Sequence, residues 1–300
     1  MLNHLSSRLN EIQEICDKEI LMVIGTAKSG TTWVQKMLNG HPEIYCPGES
    51  KFTYLVRAFG KAVAEYNREL DFTNRIVYSD GAFYRTWDDI AVATGFQFLA
   101  ALSWANAEHE NIRSVRYIGD KDTAYHTSNL INVWRDLLFN EAKVIHVIRD
   151  GRDSAISVLR HRQRVGGYSA DVGSVDFDAF LRGYAKEWAA NIRRTRAAFG
   201  EFPHLYFEVH YEDLLQEPAK GLGAIFDFLE VEYSPTLVRN IATENAFFKL
   251  SGGRAAGQED RGSFYRRGTS GEWNEVFDAR SKQIFIETSG DLLAELGYDT

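Results

Sequence analysis

The stretch Leu21-Met-Val-Ile-Gly-Thr-Ala-Lys-Ser-Gly-Thr-Thr-Trp33 decides the fold of this chain. Its apolar half is typical of a buried strand that stops at Gly25, and a helical pattern follows over 31–38. A turn between a strand and a helix presents successive backbone N–H groups, which bind anions, and Lys28 adds a full positive charge. The stretch therefore predicts a phosphate site, although an ordinary strand-to-helix turn would fit the same pattern.

The composition is that of an ordinary globular protein, and its 300 residues fit one large domain or two small ones. Cys16 and Cys46 cannot build a disulfide framework, and nothing near them has metal-ligand spacing. The first residues do not form a secretory signal, and no apolar run approaches the ~20 residues of a membrane span. A formal net charge of −8 argues against nucleic acid. We therefore expect a cytoplasmic protein that needs no metal, membrane or nucleic acid.

Apolar runs alternate with helical periodicity along the chain. Strands are predicted at 20–24, 115–118, 142–148 and 205–209. Helices are predicted at 5–17, 31–38, 129–138, 154–164, 175–199, 218–229 and 280–296, and a loop at 252–271. The aromatic-rich region 52–98 is expected to be mainly helical. This alternation predicts an α/β fold with a central parallel sheet flanked by helices.

Two further basic segments contain glycine. Arg149-Asp-Gly-Arg-Asp-Ser-Ala-Ile-Ser157 follows a predicted strand, and Arg266-Arg-Gly-Thr-Ser-Gly-Glu-Trp273 lies in the predicted loop. Taken alone, the first would also fit a salt-bridged turn and the second a solvated loop. The phosphates of ATP are contiguous, so one basic segment can bind them. Two basic segments besides the turn at Lys28 therefore favour a nucleotide with phosphates at both ends of its ribose, a 3′,5′-bisphosphate.

The turn at Lys28 departs from the Walker A pattern, because Thr31 stands where that motif has lysine. A P-loop kinase would also need an aspartate at a strand end to hold Mg²⁺, and Asp150 is the nearest candidate. A nucleotide or small-molecule kinase and a non-catalytic nucleotide-binding module remain the alternatives.

The three basic segments, in this order and spacing, resemble the signature motifs of PAPS-dependent sulfotransferases, where PAPS is 3′-phosphoadenosine-5′-phosphosulfate. Thr26–Trp33 is similar to the 5′-phosphosulfate loop, Arg149–Ser157 to the 3′-phosphate motif, and Arg266–Trp273 to the loop that closes over the 3′-phosphate. The resemblance runs over 20–277. It implies a single sulfotransferase domain over 1–300, with a P-loop NTPase-like fold.

The resemblance implies a set of cofactor-binding residues for PAPS and its product, adenosine 3′,5′-bisphosphate. They are Lys28, Ser29, Gly30, Thr31 and Thr32 at the 5′ end, Trp33 on the adenine, Arg149, Ser157, Arg266, Arg267 and Gly268 at the 3′-phosphate, and Tyr211 and Phe247 at the adenosine. For Trp33 and Phe247, plain core packing fits nearly as well. The chain departs from the family pattern at Ala27, where proline is frequent, and at Glu272, where aspartate is usual.

Sulfonyl transfer is physically similar to phosphoryl transfer, so catalysis is expected from positioning, from electrostatic stabilisation and from a base. Lys28 is expected to stabilise charge on the leaving oxygen, and Ser157 and Lys121 to orient the donor. Cytosolic small-molecule sulfotransferases carry Lys-x-His near the second strand. Here Lys121-Asp-Thr123 takes that place, so the histidine is missing.

Glu49 is the expected general base. It follows the pair His41-Pro42 in a segment that resembles the one carrying the catalytic glutamate of tyrosylprotein sulfotransferases. A partly closed apolar site would raise the pKa of Glu49 and make it a better base. A surface-loop carboxylate is the alternative interpretation, and His126 is the second candidate base.

The acceptor is expected to be the hydroxyl of a small alcohol or phenol. The aromatic residues of 52–104 would line its pocket or simply pack the core. A tyrosine-containing peptide is the alternative, because of the arrangement around Glu49. The acidic net charge argues against heparan-like acceptors.

Overall fold

A computed structural model of the chain describes residue 6 and residues 18–46, 48–49, 51–77, 115–123, 142–166 and 170–300. Within these ranges the strands are β1 Glu19–Ile24, β2 Ile44–Tyr45, β3 Tyr117–Lys121, β4 Lys143–Ile148 and β5 Tyr206–His210. They form a single sheet in the order β2-β3-β1-β4-β5, and every neighbouring pair is parallel. The predicted α/β fold with a central parallel sheet is confirmed.

Helices connect and cover these strands. They are α1 Thr31–Leu38, α2 Phe52–Val77, α3 Gly151–Arg164, α4 Val175–Phe199, α5 Tyr211–Gln216, α6 Pro218–Leu229, α7 Pro235–Glu244, α8 Phe247–Leu250, α9 Trp273–Val276 and α10 Ala279–Glu295, with a 3₁₀ turn at Pro203–Leu205. None of the helices in the described ranges has both the length and the hydropathy that crossing a bilayer requires.

The predicted elements agree closely with the observed ones where the structure describes the chain. The edge strand β2 and the helices α5, α7, α8 and α9 were not predicted. β2 has two residues, and α5, α8 and α9 have six, four and four, which is too few to show a periodicity. The predicted helices at 5–17 and 129–138, and 78–98 of the aromatic region, lie outside the described residues.

The sheet is buried on both faces, which explains why β1 and β4 read as continuous apolar runs. On one face, Leu21 and Val23 of β1 pack with the apolar sides of α1, α6 and α7. On the other face, α3, α4 and α10 meet around Trp188 and Phe285, which are almost fully buried. Burying a large apolar side chain of this kind contributes about 1.5–3 kcal/mol to the stability of the folded state. The two clusters therefore stabilise the helices against both faces of the sheet.

The carboxyl ends of β1, β3 and β4 meet at one edge of the sheet. β1 pairs with β3 on one side and with β4 on the other, so the turns that follow these strands lie side by side. Gly25 allows this approach, because a Cβ there would lie 2.5 Å from the Val147 carbonyl oxygen. The sheet therefore brings Lys28, Lys121 and Arg149 together from distant parts of the sequence.

Candidate active site

A cavity of about 490 Å³ opens at this edge of the sheet. It is lined by nearly all of the site residues that the sequence predicts: Lys28, Gly30, Thr31, Thr32, Trp33, Glu49, Lys121, Arg149, Ser157, Tyr211, Phe247, Arg266, Arg267 and Gly268. Ser29 lies fully buried within the turn and is the exception among the described residues. His126 lies outside the described residues. The fold thus brings the three basic segments to a common cavity.

The turn between β1 and α1 has the form of an anion site. The N–H of Ser29 donates to the carbonyl of Thr26 at 3.1 Å, which closes the turn. Gly30 precedes α1 with a φ of 101°, and no side chain caps the free N–H groups of the first helical turn. Tyr211 packs so closely against Gly30 that a Cβ would lie 2.6 Å from its ring. The hydroxyl of Ser29 is buried without a hydrogen-bond partner in the described structure.

Arg149 joins this turn to the C-terminal loop, which we define as residues 251–272. Its guanidinium donates to the carbonyl oxygens of Lys28 and Thr269, both at 3.2 Å, and lies 4.4 Å from the Tyr211 ring centroid. Its Nε is buried and has no partner among the described residues. The side chain is therefore positioned by backbone and aromatic contacts, and it lines the cavity.

Two arginines of the C-terminal loop, Arg266 and Arg267, which we call the loop arginines, are already engaged with carboxylates. Arg266 pairs with Glu259 at 2.7 Å and with Glu272, and Arg267 pairs with Glu275 at 2.8 Å. Both arginines nevertheless line the cavity, and the buried Nε of Arg267 has no partner among the described residues. The sequence did not predict these pairs, which hold the two side chains beside the cavity.

Trp33 combines the two roles that the sequence left open. Its indole N–H donates to the Asn245 carbonyl at 2.8 Å, and its ring meets Tyr211 edge-on with centroids 5.7 Å apart. The ring packs against the core cluster and also lines the cavity. An aromatic face at the wall of a cavity that also contains Phe247 is a suitable stacking surface for a purine.

At the other end of the cavity, Glu49 lies between two lysines. Its Oε1 accepts from Lys121 Nζ at 2.6 Å, and its Oε2 accepts from Lys51. Burial alone would raise the pKa of Glu49. The hydrogen bonds from Lys121 and Lys51, with their positive charges, outweigh burial and hold the pKa below its usual 4.5. The expectation of a raised pKa is therefore wrong, because the sequence could not show that two cations contact this carboxylate.

Lys28 is partly buried with its Nζ 4.7 Å from the ring centroid of Phe264. Burial, together with the positive charges of Arg164 and Lys121, lowers its pKa. Among the described lining residues, the sequence did not single out Phe264, Tyr265, Asn245, Thr269 and His161. Of these, only His161 could have been identified from the sequence. It lies four residues after Ser157 and is therefore on the same face of α3.

The residues around the cavity fit a doubly phosphorylated adenosine. The uncapped start of α1 and the positive charge of Lys28 at the cavity wall suit one phosphate. The guanidinium groups of Arg149 and Arg267, which both line the cavity, suit a second phosphate. In the described part of the chain, no group of three or more His, Cys, Asp or Glu side chains has the geometry of a metal site.

We expect Gly268→Ala to weaken binding of adenosine 3′,5′-bisphosphate about tenfold or more in a calorimetric titration. At Gly268, φ is +69° and a Cβ would lie 2.1 Å from Phe247 Cδ2, so either the loop or the ring must move. Gly257→Ala is the matched control, because its φ is +93° in the same loop and its Cβ would meet no atom within 4 Å. Equal losses in the two variants would show that backbone strain alone is responsible.

The comparisons with known proteins agree with this site. The profile described as the Sulfotransferase family matches residues 21–235. This chain therefore belongs to the sulfotransferase family, and it is a transferase. The fold is shared with the crystal structure of mouse sulfotransferase SULT7A1 complexed with PAP, at a TM-score of 0.56 and 16% identity, over 95% of this chain and 88% of that one. Kinase and non-catalytic alternatives are thereby set aside.

Protein-tyrosine sulfotransferases stand out among the sequence relatives. A Caenorhabditis briggsae protein provisionally given that name is 23% identical over 94% of this chain and 90% of its own length. Protein-tyrosine sulfotransferase 2 of Gallus gallus is 24% identical over 79% of this chain and 57% of its own length.

Proposed function

We propose that this enzyme transfers the sulfonate group of PAPS to the phenolic hydroxyl of tyrosine in a peptide or protein, with Glu49 as the general base. The observation that carries this proposal is the contact between Glu49 and the buried Lys121 at the cavity wall. Thr123, at the position of the family's Lys-x-His histidine, also lines the cavity and cannot act as a base. The names of the sequence relatives support the same acceptor.

Bound PAPS would supply an activated sulfonate on a phosphate leaving group. The turn from Lys28 to Thr32 and the start of α1 would bind its 5′ end, and Trp33, Tyr211 and Phe247 would enclose the adenosine. Arg149, Ser157, Arg266, Arg267 and Gly268 would bind the 3′-phosphate. Lys28 would stabilise negative charge on the leaving oxygen, and Lys121 would orient Glu49 and the donor.

The low pKa of Glu49 favours a phenol over an aliphatic alcohol. A carboxylate held by two lysines is fully ionised at neutral pH, yet it is a weak base. A phenol, with a pKa of about 10, loses its proton to such a base far more readily than an aliphatic alcohol does. Lys28, Lys51 and Lys121 would also stabilise the developing phenolate. A phenolic hydroxyl therefore replaces the hydroxyl of a small alcohol as the preferred acceptor.

The test is a transfer assay with labelled PAPS and four acceptors: a peptide with one tyrosine, the same peptide with phenylalanine in its place, a free phenol and an aliphatic alcohol. We expect a kcat/KM for the tyrosine peptide at least about tenfold above that for the phenol, and no transfer to the phenylalanine peptide. A kcat/KM for the free phenol or the aliphatic alcohol above that for the tyrosine peptide would contradict the proposal and would favour a small-molecule acceptor.

The charge environment of Glu49 leads to a pH prediction. Activity requires ionised Glu49, so kcat/KM for the acceptor falls as pH drops through its pKa. Lys51→Met removes one hydrogen bond and one positive charge that lower this pKa. The acidic limb of the profile is therefore expected to move to higher pH. Lys143→Met is the control, because Lys143 pairs with Glu230 outside the cavity. An unchanged limb in Lys51→Met would argue against Glu49 as the titrating group.

A further inference from the structure

Asp153 is a buried carboxylate that connects two of the basic segments. It lies in the first turn of α3, and its side chain is only 1% exposed. Its Oδ2 accepts from the backbone N–H of Gly271 at 2.7 Å, and its Oδ1 accepts from that of Trp273 at 3.0 Å. The nearest guanidinium nitrogen of Arg149 lies 3.7 Å away. The carboxylate thus contacts the second segment and the end of the third.

The position of Asp153 near the start of α3 does not explain these contacts. Asp150 already caps the helix, because its side chain accepts from the N–H of Arg152 at 2.9 Å. Asp150 also neutralises the Arg152 guanidinium at 2.8 Å. Neither the cap nor this ion pair involves Asp153. Its hydrogen-bond capacity is directed across 118 and 120 residues of sequence to the C-terminal loop and α9.

Two further contacts join this part of the C-terminal loop and α9 to the second basic segment. Arg149 donates to the Thr269 carbonyl, and the Arg152 guanidinium lies 3.6 Å from the ring centroid of Trp273. Both contacts lie within four residues of the backbone groups that Asp153 holds. The segment with Arg266, Arg267 and Gly268 ends directly before this anchor. Where Asp153 holds the loop therefore determines how far the loop arginines stand from Arg149.

We propose that Asp153 is a positioning residue that sets the distance between Arg149 and the loop arginines, so that together they select the 3′-phosphate of the nucleotide. This inference rests on the cofactor-binding arrangement proposed above and is independent of the acceptor. Asp153 itself, as an anion, does not bind the phosphate. Its contribution is to hold the cations of two distant segments around a common point.

The test compares two nucleotides by calorimetry, adenosine 3′,5′-bisphosphate and adenosine 5′-monophosphate, which lacks the 3′-phosphate. For Asp153→Ala and Asp153→Asn we expect affinity for the bisphosphate to fall about tenfold or more and affinity for the monophosphate to change less than about threefold. Asp153→Asn keeps the shape and one acceptor oxygen, so it is the variant that preserves folding. Asp178→Asn is the control, a buried carboxylate paired with Arg280 outside the cavity.

A double-mutant cycle separates positioning from general destabilisation. Arg267→Ala is expected to weaken bisphosphate binding about tenfold in the wild-type background and less than about threefold in Asp153→Ala, because the loop is then no longer held near Arg149. Additive losses, or equal losses for the two nucleotides, would overturn the proposal. If the wild-type enzyme shows no preference for the bisphosphate, the cofactor arrangement itself fails. If it shows the preference and the Asp153 variants keep it, only the role of Asp153 is refuted.

Discussion

Lys28→Ala is expected to lower kcat about 1,000-fold or more and to change the affinity for adenosine 3′,5′-bisphosphate much less. The reason is that Lys28 would stabilise the negative charge that develops on the leaving oxygen as the S–O bond breaks. That oxygen stays on the 5′-phosphate of the product, where the backbone N–H groups of the turn would also bind it, so affinity for the product should fall less than kcat. The Lys28 side chain is partly buried, with its Nζ 4.7 Å from the ring centroid of Phe264. A charge in such a setting stabilises a transition state far more than one in bulk solvent.

The measurement is single-turnover transfer with saturating PAPS, together with a calorimetric titration of the product. Lys36→Ala is the matched control, since Lys36 is an exposed lysine of α1 that does not line the cavity. It should keep wild-type kcat. An undiminished rate in Lys28→Ala would remove Lys28 from leaving-group stabilisation.

Glu49→Gln is expected to lower kcat about 100-fold or more with little change in cofactor affinity. The amide keeps the shape of the side chain and an oxygen that accepts from Lys121, so the cavity wall stays in place. What it loses is the ability to take the proton of the acceptor hydroxyl. The deficit should therefore appear in kcat, and it should be larger for an unactivated phenol than for one with a strongly acidic hydroxyl.

The control for this variant is Glu43→Gln, a carboxylate that does not line the cavity and lies directly before β2. Rates of both variants across substituted phenols give the dependence on acceptor acidity. Wild-type turnover in Glu49→Gln would refute its assignment as the base and shift attention to His126.

Much of the site could be predicted because its residues lie in short contiguous motifs. The turn at Lys28 follows an apolar strand, and its glycine and hydroxyl residues have few other local explanations. Arg149 likewise follows a strand, and parallel strands deliver their carboxyl ends to one edge. Residues such as Phe264 and Asn245 escaped prediction because they reach the cavity from segments without a recognisable pattern.

The charge state of Glu49 shows most clearly what the sequence alone could not predict. Its pKa depends on Lys121, which is 72 residues away in sequence, and on the hydrogen bond from Lys51 to its other carboxylate oxygen. A sequence shows which groups can ionise, whereas an electrostatic interaction depends on distances between them. The direction of the shift therefore followed only from the folded arrangement.

The amino-acid sequence by itself determined the alternation of strands and helices, the anion-binding turn and the membership of the sulfotransferase family, because periodicity and contiguous motifs are local properties. The tertiary structure decided which cation contacts which carboxylate: Lys121 and Lys51 on Glu49, Glu272 on Arg266, and Asp153 between Arg149 and the C-terminal loop. The Lys121–Glu49 contact and the hydrogen bonds from Asp153 to the C-terminal loop and α9 join residues 72 to 120 positions apart, and only the packing of the sheet and its loops brings them together. The shorter-range pairs depend on the local path of the backbone, which the sequence does not show.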